Sequence, residues 1–243
     1  MNRRGFLTLG AAGAAGWLGR ARAGATGQQP QSDIPYGESR LGLTNDLRDG
    51  TLYVPKSYKD GAPMPLLMML HGYSGFAQNV RYTFPLAEEF GVIVIAPESR
   101  DVTWNRSAQG FDPDVRYLGA AYRQVTGMLD VDRTHVALGG QSDGAGYALS
   151  MGLAYGDVFN HLIILAGGMM TPLRKQGKPR IFFGHGVNDQ QMPIDRTARR
   201  FVPELKEEGY DVTLLEYDGG HGVPVSVVRD AFKWFLAKDT AQK

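Results

Sequence analysis

Residues 136–150 read V-A-L-G-G-Q-S-D-G-A-G-Y-A-L-S, and this stretch constrains the fold more than any other. A short apolar run at 136–138 has the character of a buried strand. Gly140-Gln141-Ser142-Asp143-Gly144 follows it, and a helical pattern begins there. A G-x-S-x-G between a strand and a helix is the arrangement that lifts a serine onto a sharp corner with its hydroxyl exposed. The turn is tight enough that a Cβ at either glycine would collide with the neighbouring strand or helix. The helix N-terminus behind the serine carries a partial positive charge, which favours an anion forming at the corner.

The rest of the chain fits a single α/β domain. The 243 residues carry a net charge of +1. Residues 1–23 contain arginines but no acids, so the remainder is slightly acidic. No basic face is implied, and nucleic acid is not an expected partner. With no cysteine in the chain, disulfides, thiolate metal sites and a cysteine nucleophile are excluded. Residues 1–23 read as a targeting segment. Asn2-Arg3-Arg4-Gly5-Phe6-Leu7 resembles a twin-arginine export motif, the apolar part at 7–18 is too short to span a bilayer, and Ala21-Arg22-Ala23 is an A-x-A-like cleavage site. The expectation is an exported protein, periplasmic or secreted, with no stable membrane anchor after cleavage. A Gly/Gln-rich linker at 24–35 and a folded domain at 36–238 follow.

Within that domain, 39–43 and 51–54 read as two short strands around an Asp49-Gly50 hairpin turn. Residues 65–70, P-L-L-M-M-L, form a continuous apolar run of the kind that a central parallel strand covered on both faces requires. Residues 79–90 read as a helix interrupted by Pro85, and 92–96 as a strand. A long loop at 97–111 holds Trp104 and Arg106. A helix at 113–129 is expected, with Asp112 as its cap. The elbow strand at 136–140 and a helix at 144–155 come next. Strands are expected at 161–165, 180–184 and 211–217. Helices are expected at 194–209, kinked by Pro203 and capped by Asp195, and at 224–236. Alternating strands and helices imply a doubly wound, mostly parallel sheet, with ligands beyond the C-terminal strand ends.

That rule selects the chemistry-bearing residues. A serine needs a base to become a nucleophile, and the base needs an orienting acid. His221, in Asp218-Gly219-Gly220-His221-Gly222, lies just past the last strand and is the candidate base. His161 begins a strand, at the wrong end of the sheet. His185 has no intervening acid that also ends a strand. Asp189 follows the 180–184 strand and is the candidate acid, ahead of Asp195 and Asp218. An oxyanion formed at Ser142 would be held by the backbone N–H groups of Asp143 and of Tyr73, the latter just after His71-Gly72. The His71 side chain itself reads as a brace for that loop. Trp104, Met169 and Met170 follow strands and are candidates to line an acyl pocket, or else are core residues. No cofactor or metal is called for.

H-G-x-S-G at 71–75, G-x-S-x-G at 140–144, H-G-x-x-D at 185–189 and G-G-H at 219–221, in this order, resemble the α/β-hydrolase superfamily. The nearest resemblance is to its small phospholipase/carboxylesterase branch, which includes polyhydroxyalkanoate-depolymerase-like esterases and acyl-thioesterases. It covers roughly residues 52–236. It implies an α/β-hydrolase fold and a serine esterase cleaving a small-molecule carboxylic ester through an acyl-enzyme, with Ser142, Asp189 and His221 as triad. A serine peptidase or thioesterase on the same triad, or a lapsed hydrolase that only binds a ligand, remain alternatives. The elbow departs from the thioesterase pattern, having Gln141-Ser142-Asp143-Gly144-Ala145 where those members usually have Ser-Gln-Gly-Gly. Only residues 166–179 separate two strands where larger relatives insert a cap, so a minimal domain without a cap is expected.

Overall fold

The computed structural model describes residues 34–105 and 113–237. The expected targeting segment, nearly all of the expected linker, Arg106 and Asp112, the expected helix cap, lie outside the described residues.

Eight strands form one sheet: β1 (Gly37–Arg40), β2 (Thr51–Val54), β3 (Met64–Leu70), β4 (Ile93–Ala96), β5 (Val131–Gln141), β6 (His161–Leu165), β7 (Arg180–Gly186) and β8 (Val212–Tyr217). Their order is β1-β2-β4-β3-β5-β6-β7-β8. The β1–β2 and β2–β4 pairs are antiparallel and the others parallel. The helices are α1 (Phe84–Phe90), α2 (Pro113–Met128), α3 (Asp143–Ala154), α4 (Ala198–Glu207) and α5 (Val225–Leu236). No helix among the described residues is long and apolar enough to cross a membrane.

The apolar run of β3 is explained by its place in the middle of the sheet. Successive side chains point to opposite faces. Leu66, Met68 and Leu70 join one buried cluster with Leu118, Tyr122, Leu149, Phe201 and Leu205 from α2, α3 and α4. Leu67 and Met69 join another, with Leu86, Val228, Phe232 and Phe235 from α1 and α5. Each such buried side chain contributes about 1.5–3 kcal/mol, so a polar residue anywhere in this run would be costly. The chain passes from β3 to β4 on one side and returns to β5 on the other. This reversal lies between β3 and β5, whose ends meet where Leu70 pairs with Gly140, and sheets of this kind take ligands at such a point.

Several local expectations are corrected. No tight Asp-Gly turn joins β1 to β2. Residues 41–50 instead wind around the buried Asp49 carboxylate, which accepts the Gly42, Leu43 and Thr44 N–H groups at 2.6, 2.7 and 2.9 Å. Pro85 does not kink one helix. It sits in the first turn of α1, after a separate 3-10 segment, Ala77–Thr83, because a first-turn residue has no intrahelical partner for the N–H that proline lacks. Residues 194–209 likewise divide into a 3-10 turn, Ile194–Arg196, and α4, which runs on through Pro203. Asp195 makes no capping bond. Its exposed carboxylate pairs with Arg199 at 2.9 Å. The elbow strand starts earlier than its apolar run suggests, because Val131 pairs with Met64 beyond a register shift. The connection from β6 to β7 carries no inserted helix.

Candidate active site

Ser142 stands between the end of β5 and the start of α3, at φ 56° and ψ −117°. A non-glycine residue held there costs about 1–3 kcal/mol, so the packing around it must impose the conformation. The two glycines of the motif permit that packing. A Cβ on Gly140 would run into the backbone of Gly144, and one on Gly144 into the carbonyls of His71 and Leu70. The Ser142 N–H is tied to the Leu165 carbonyl at 2.9 Å.

The Ser142 hydroxyl lies 2.8 Å from His221 Nε2. His221 Nδ1 lies 2.8 Å from Asp189 Oδ2. Two loops bring these residues together. Val187 N–H donates to the Tyr217 carbonyl at 3.0 Å and Asn188 N–H to the Gly219 carbonyl at 2.9 Å. The Asn188 amide also donates to Asp218 at 3.0 Å. The loops after β7 and β8 are thereby laced, and Gly186 allows it: a Cβ there would strike the Gly219 and Gly220 backbone. Asp218 thus shapes the loop and does not reach the imidazole chain.

Asp189 is 4% exposed. Its Oδ1 accepts the Gln191 and Met192 N–H groups, both at 2.9 Å. Burial pushes this carboxyl up, but the hydrogen bonds from Met192, His221 and Gln191 outweigh it and hold the group below the usual carboxylate range. An anion is therefore kept beside His221 Nδ1, which fixes a proton on that nitrogen and leaves Nε2 to accept from the serine. His185, set aside as the base, lies buried behind the acid, with Nε2 2.7 Å from the Met192 carbonyl and 3.4 Å from Asp189. This supporting layer of Gln191, Met192 and His185 has no signal in the sequence. Two of its bonds are from backbone, which no residue type announces.

The two backbone positions expected to face an oxyanion lie on adjacent strand ends. Asp143 is the first residue of α3, and Tyr73 is in the loop after β3. His71 is fully buried. Its Nε2 accepts the Ser99 N–H at 3.1 Å, so Nδ1 carries the proton and donates to the Gly72 carbonyl at 2.8 Å. Burial lowers its pKa, against that bond to Gly72, and keeps the ring neutral. The expected pocket residues divide. Trp104 is 1% exposed, its ring 4.8 Å from His71 and 5.6 Å from Tyr147. It belongs to the packing under the site and not to an open acyl pocket. Met170 is half-buried against the core. Met169 is exposed and borders α3 at Gly146.

No family model matches the chain. "Putative esterase NocK" of Nocardia uniformis subsp. tsuyamanensis is 28% identical over 158 residues, which are 59% of this chain and 46% of that protein. The chain therefore aligns with less than half the length of this curated relative. Among solved structures, esterase PE8 superposes with a TM-score of 0.63 at 19% identity, covering 77% of this chain and 98% of its own. The fluorophosphonate-binding serine hydrolase FphF of Staphylococcus aureus gives 0.64 at 16%, covering 79% and 93%. A Bacillus cereus carboxylesterase gives 0.55 at 20%, covering 79% and 94%. At these identities the likeness to the solved structures is one of fold.

Proposed function

We propose that this chain, an α/β-hydrolase by fold, is a serine hydrolase that cleaves carboxylic esters through an acyl-enzyme. The observation that carries the reading is the hydrogen-bonded series Asp189–His221–Ser142, ending on a strained corner at a helix start. The hydrolase names of the relative and of the fold neighbours support the same reaction class.

In this mechanism the Ser142 oxygen bonds to the ester carbonyl carbon while its proton passes to His221 Nε2. The carbonyl oxygen becomes an anion held by the Tyr73 and Asp143 N–H groups, donors already oriented before charge develops. Asp189 stabilises the imidazolium without taking its proton. When the tetrahedral species collapses, the bond to the alcohol oxygen breaks and His221 returns the proton to it. Water then gives a proton to His221 and its oxygen to the acyl carbon. The acid departs, and Ser142 regains its proton.

The reading is tested by the pH dependence of kcat/KM on an aryl ester. His221 must be neutral to accept the serine proton, so activity is lost on the acid side as the imidazole protonates. Asp189, held below the usual carboxylate range, stays anionic there and leaves the histidine limb unobscured. The expected curve rises with pH and then levels. A profile that does not fall toward acid would contradict a base that must be unprotonated to act.

A further inference from the structure

We propose that residues 99–104, the loop after β4, act as a strap that fixes the two oxyanion donors relative to each other, with Thr103 as a positioning residue. This rests on the serine-hydrolase reading above.

The two donors belong to different parts of the chain, one on the turn after β3 and one at the start of α3. The strap bonds to both. Ser99 N–H donates to His71 Nε2 at 3.1 Å. The Val102 carbonyl accepts the Ser74 N–H at 2.8 Å. Trp104 Nε1–H donates to the His71 carbonyl at 2.8 Å. Thr103 Oγ1 reaches the other half, lying 2.5 Å from Asp143 Oδ2. Three bonds therefore go to the Tyr73 side, while the Thr103 hydroxyl, with a longer bond from the Trp104 N–H at 3.4 Å, goes to the carboxylate of the residue whose N–H is the second donor.

These bonds control direction as well as distance. The Gly72 carbonyl and the Tyr73 N–H are the two ends of one trans peptide and point opposite ways. The carbonyl is held by His71 Nδ1 at 2.8 Å and by the Gly75 N–H at 3.0 Å. Holding it aims the Tyr73 N–H away from His71, and His71 is itself oriented by Ser99. Ser74, next in the turn, sits at φ 54°, a conformation that non-glycine residues keep only where surroundings impose it. Its bond to Val102 is one such constraint. The strap is clamped in turn. The buried Asp114 carboxylate of α2 accepts the Arg100 N–H at 2.6 Å and the Asn105 N–H at 2.7 Å, one at each end of the loop.

The test is Thr103→Val, which keeps the shape and removes the hydroxyl, beside Thr103→Ser, which keeps the hydroxyl. Both are assayed for kcat and KM on one aryl ester, with Ser142→Ala as a control and circular dichroism to check the fold. A donor displaced by a fraction of an ångström should lower kcat about 10-fold, since larger misplacements cost on the order of 10²-fold. KM should stay within about twofold, because the oxyanion forms only after binding. Thr103→Ser should recover most of kcat. Thr103→Val at wild-type kcat, or Thr103→Val and Thr103→Ser equally impaired, would overturn the strap while an inactive Ser142→Ala leaves the hydrolase reading standing. If Thr103→Val does not fold, Thr103→Ala, which also lacks the hydroxyl, takes its place, and wild-type kcat with that variant overturns the strap. A Ser142→Ala protein that still hydrolyses the ester removes the hydrolase reading and the strap with it.

Discussion

Ser142→Ala should lower kcat for aryl ester hydrolysis by roughly 10³-fold or more, in a protein that folds as the wild type does. Members of such a series act as a unit, so losing the nucleophile removes the benefit of the others. Folding should survive, because the backbone alone holds the corner. Ser142 N–H bonds to Leu165, its carbonyl accepts the Gly146 N–H at 3.1 Å, and the flanking glycines give the turn its clearance. Alanine must still adopt the positive φ of this position, at no more cost than serine. Turnover near the wild-type value would place the nucleophile elsewhere.

Asp189→Asn should cost roughly 10²–10⁴ in kcat. The change keeps the volume but replaces an acceptor by an amide, so His221 can settle with its proton on the wrong nitrogen. A carboxylate-to-amide change in a related constellation costs about 10⁴-fold. The saturated environment of Asp189 makes the loss hard to evade. Gln191 and Met192 hold one oxygen in place, and the other faces His221. Asp195→Asn and Asp218→Asn should each lose less than about 10-fold. Asp195 pairs with Arg199 on the exposed surface, where an ion pair matters little. Asp218 receives the Asn188 amide, and an asparagine can still accept that bond. The measurement is kcat on one aryl ester for the three purified variants. A crippled Asp218→Asn beside an active Asp189→Asn would show that the acid is misassigned.

The parts of this structure that the sequence makes legible are those where one residue type has one physical use. The unbroken apolar run of β3 can be satisfied only by burial on both faces. Glycines at 140 and 144 have a steric reason to exist. That His221 and Asp189 meet near Ser142 is legible because each lies in the loop after a strand, and the topology of the sheet gathers strand ends. Where sequence and structure differ, the cause is another. Asp195 before a helical pattern looks like a cap, yet its carboxylate meets Arg199 one turn on. Asp49-Gly50 looks like a hairpin turn, yet Asp49 is the centre of a loop whose N–H groups it collects. Of the two uses the sequence leaves open for Trp104, pocket or core, the ring takes the core one, with its indole N–H donating to the His71 carbonyl. Polar residues 132–135 hid the first half of β5, whose pairing depends on backbone groups. The strap was out of reach for the same reason. Its bonds run between side chains and backbone of segments far apart in sequence, and no spacing encodes them.

The most direct test of the central claim is to treat the folded protein with a fluorophosphonate and map the adduct by peptide mass spectrometry. A Ser142 hydroxyl activated by His221 displaces fluoride and bonds to phosphorus. The account predicts one phosphonyl group, on the peptide containing Ser142, and no labelling of the Ser142→Ala protein. A label on another residue, or one that persists in Ser142→Ala, would contradict it.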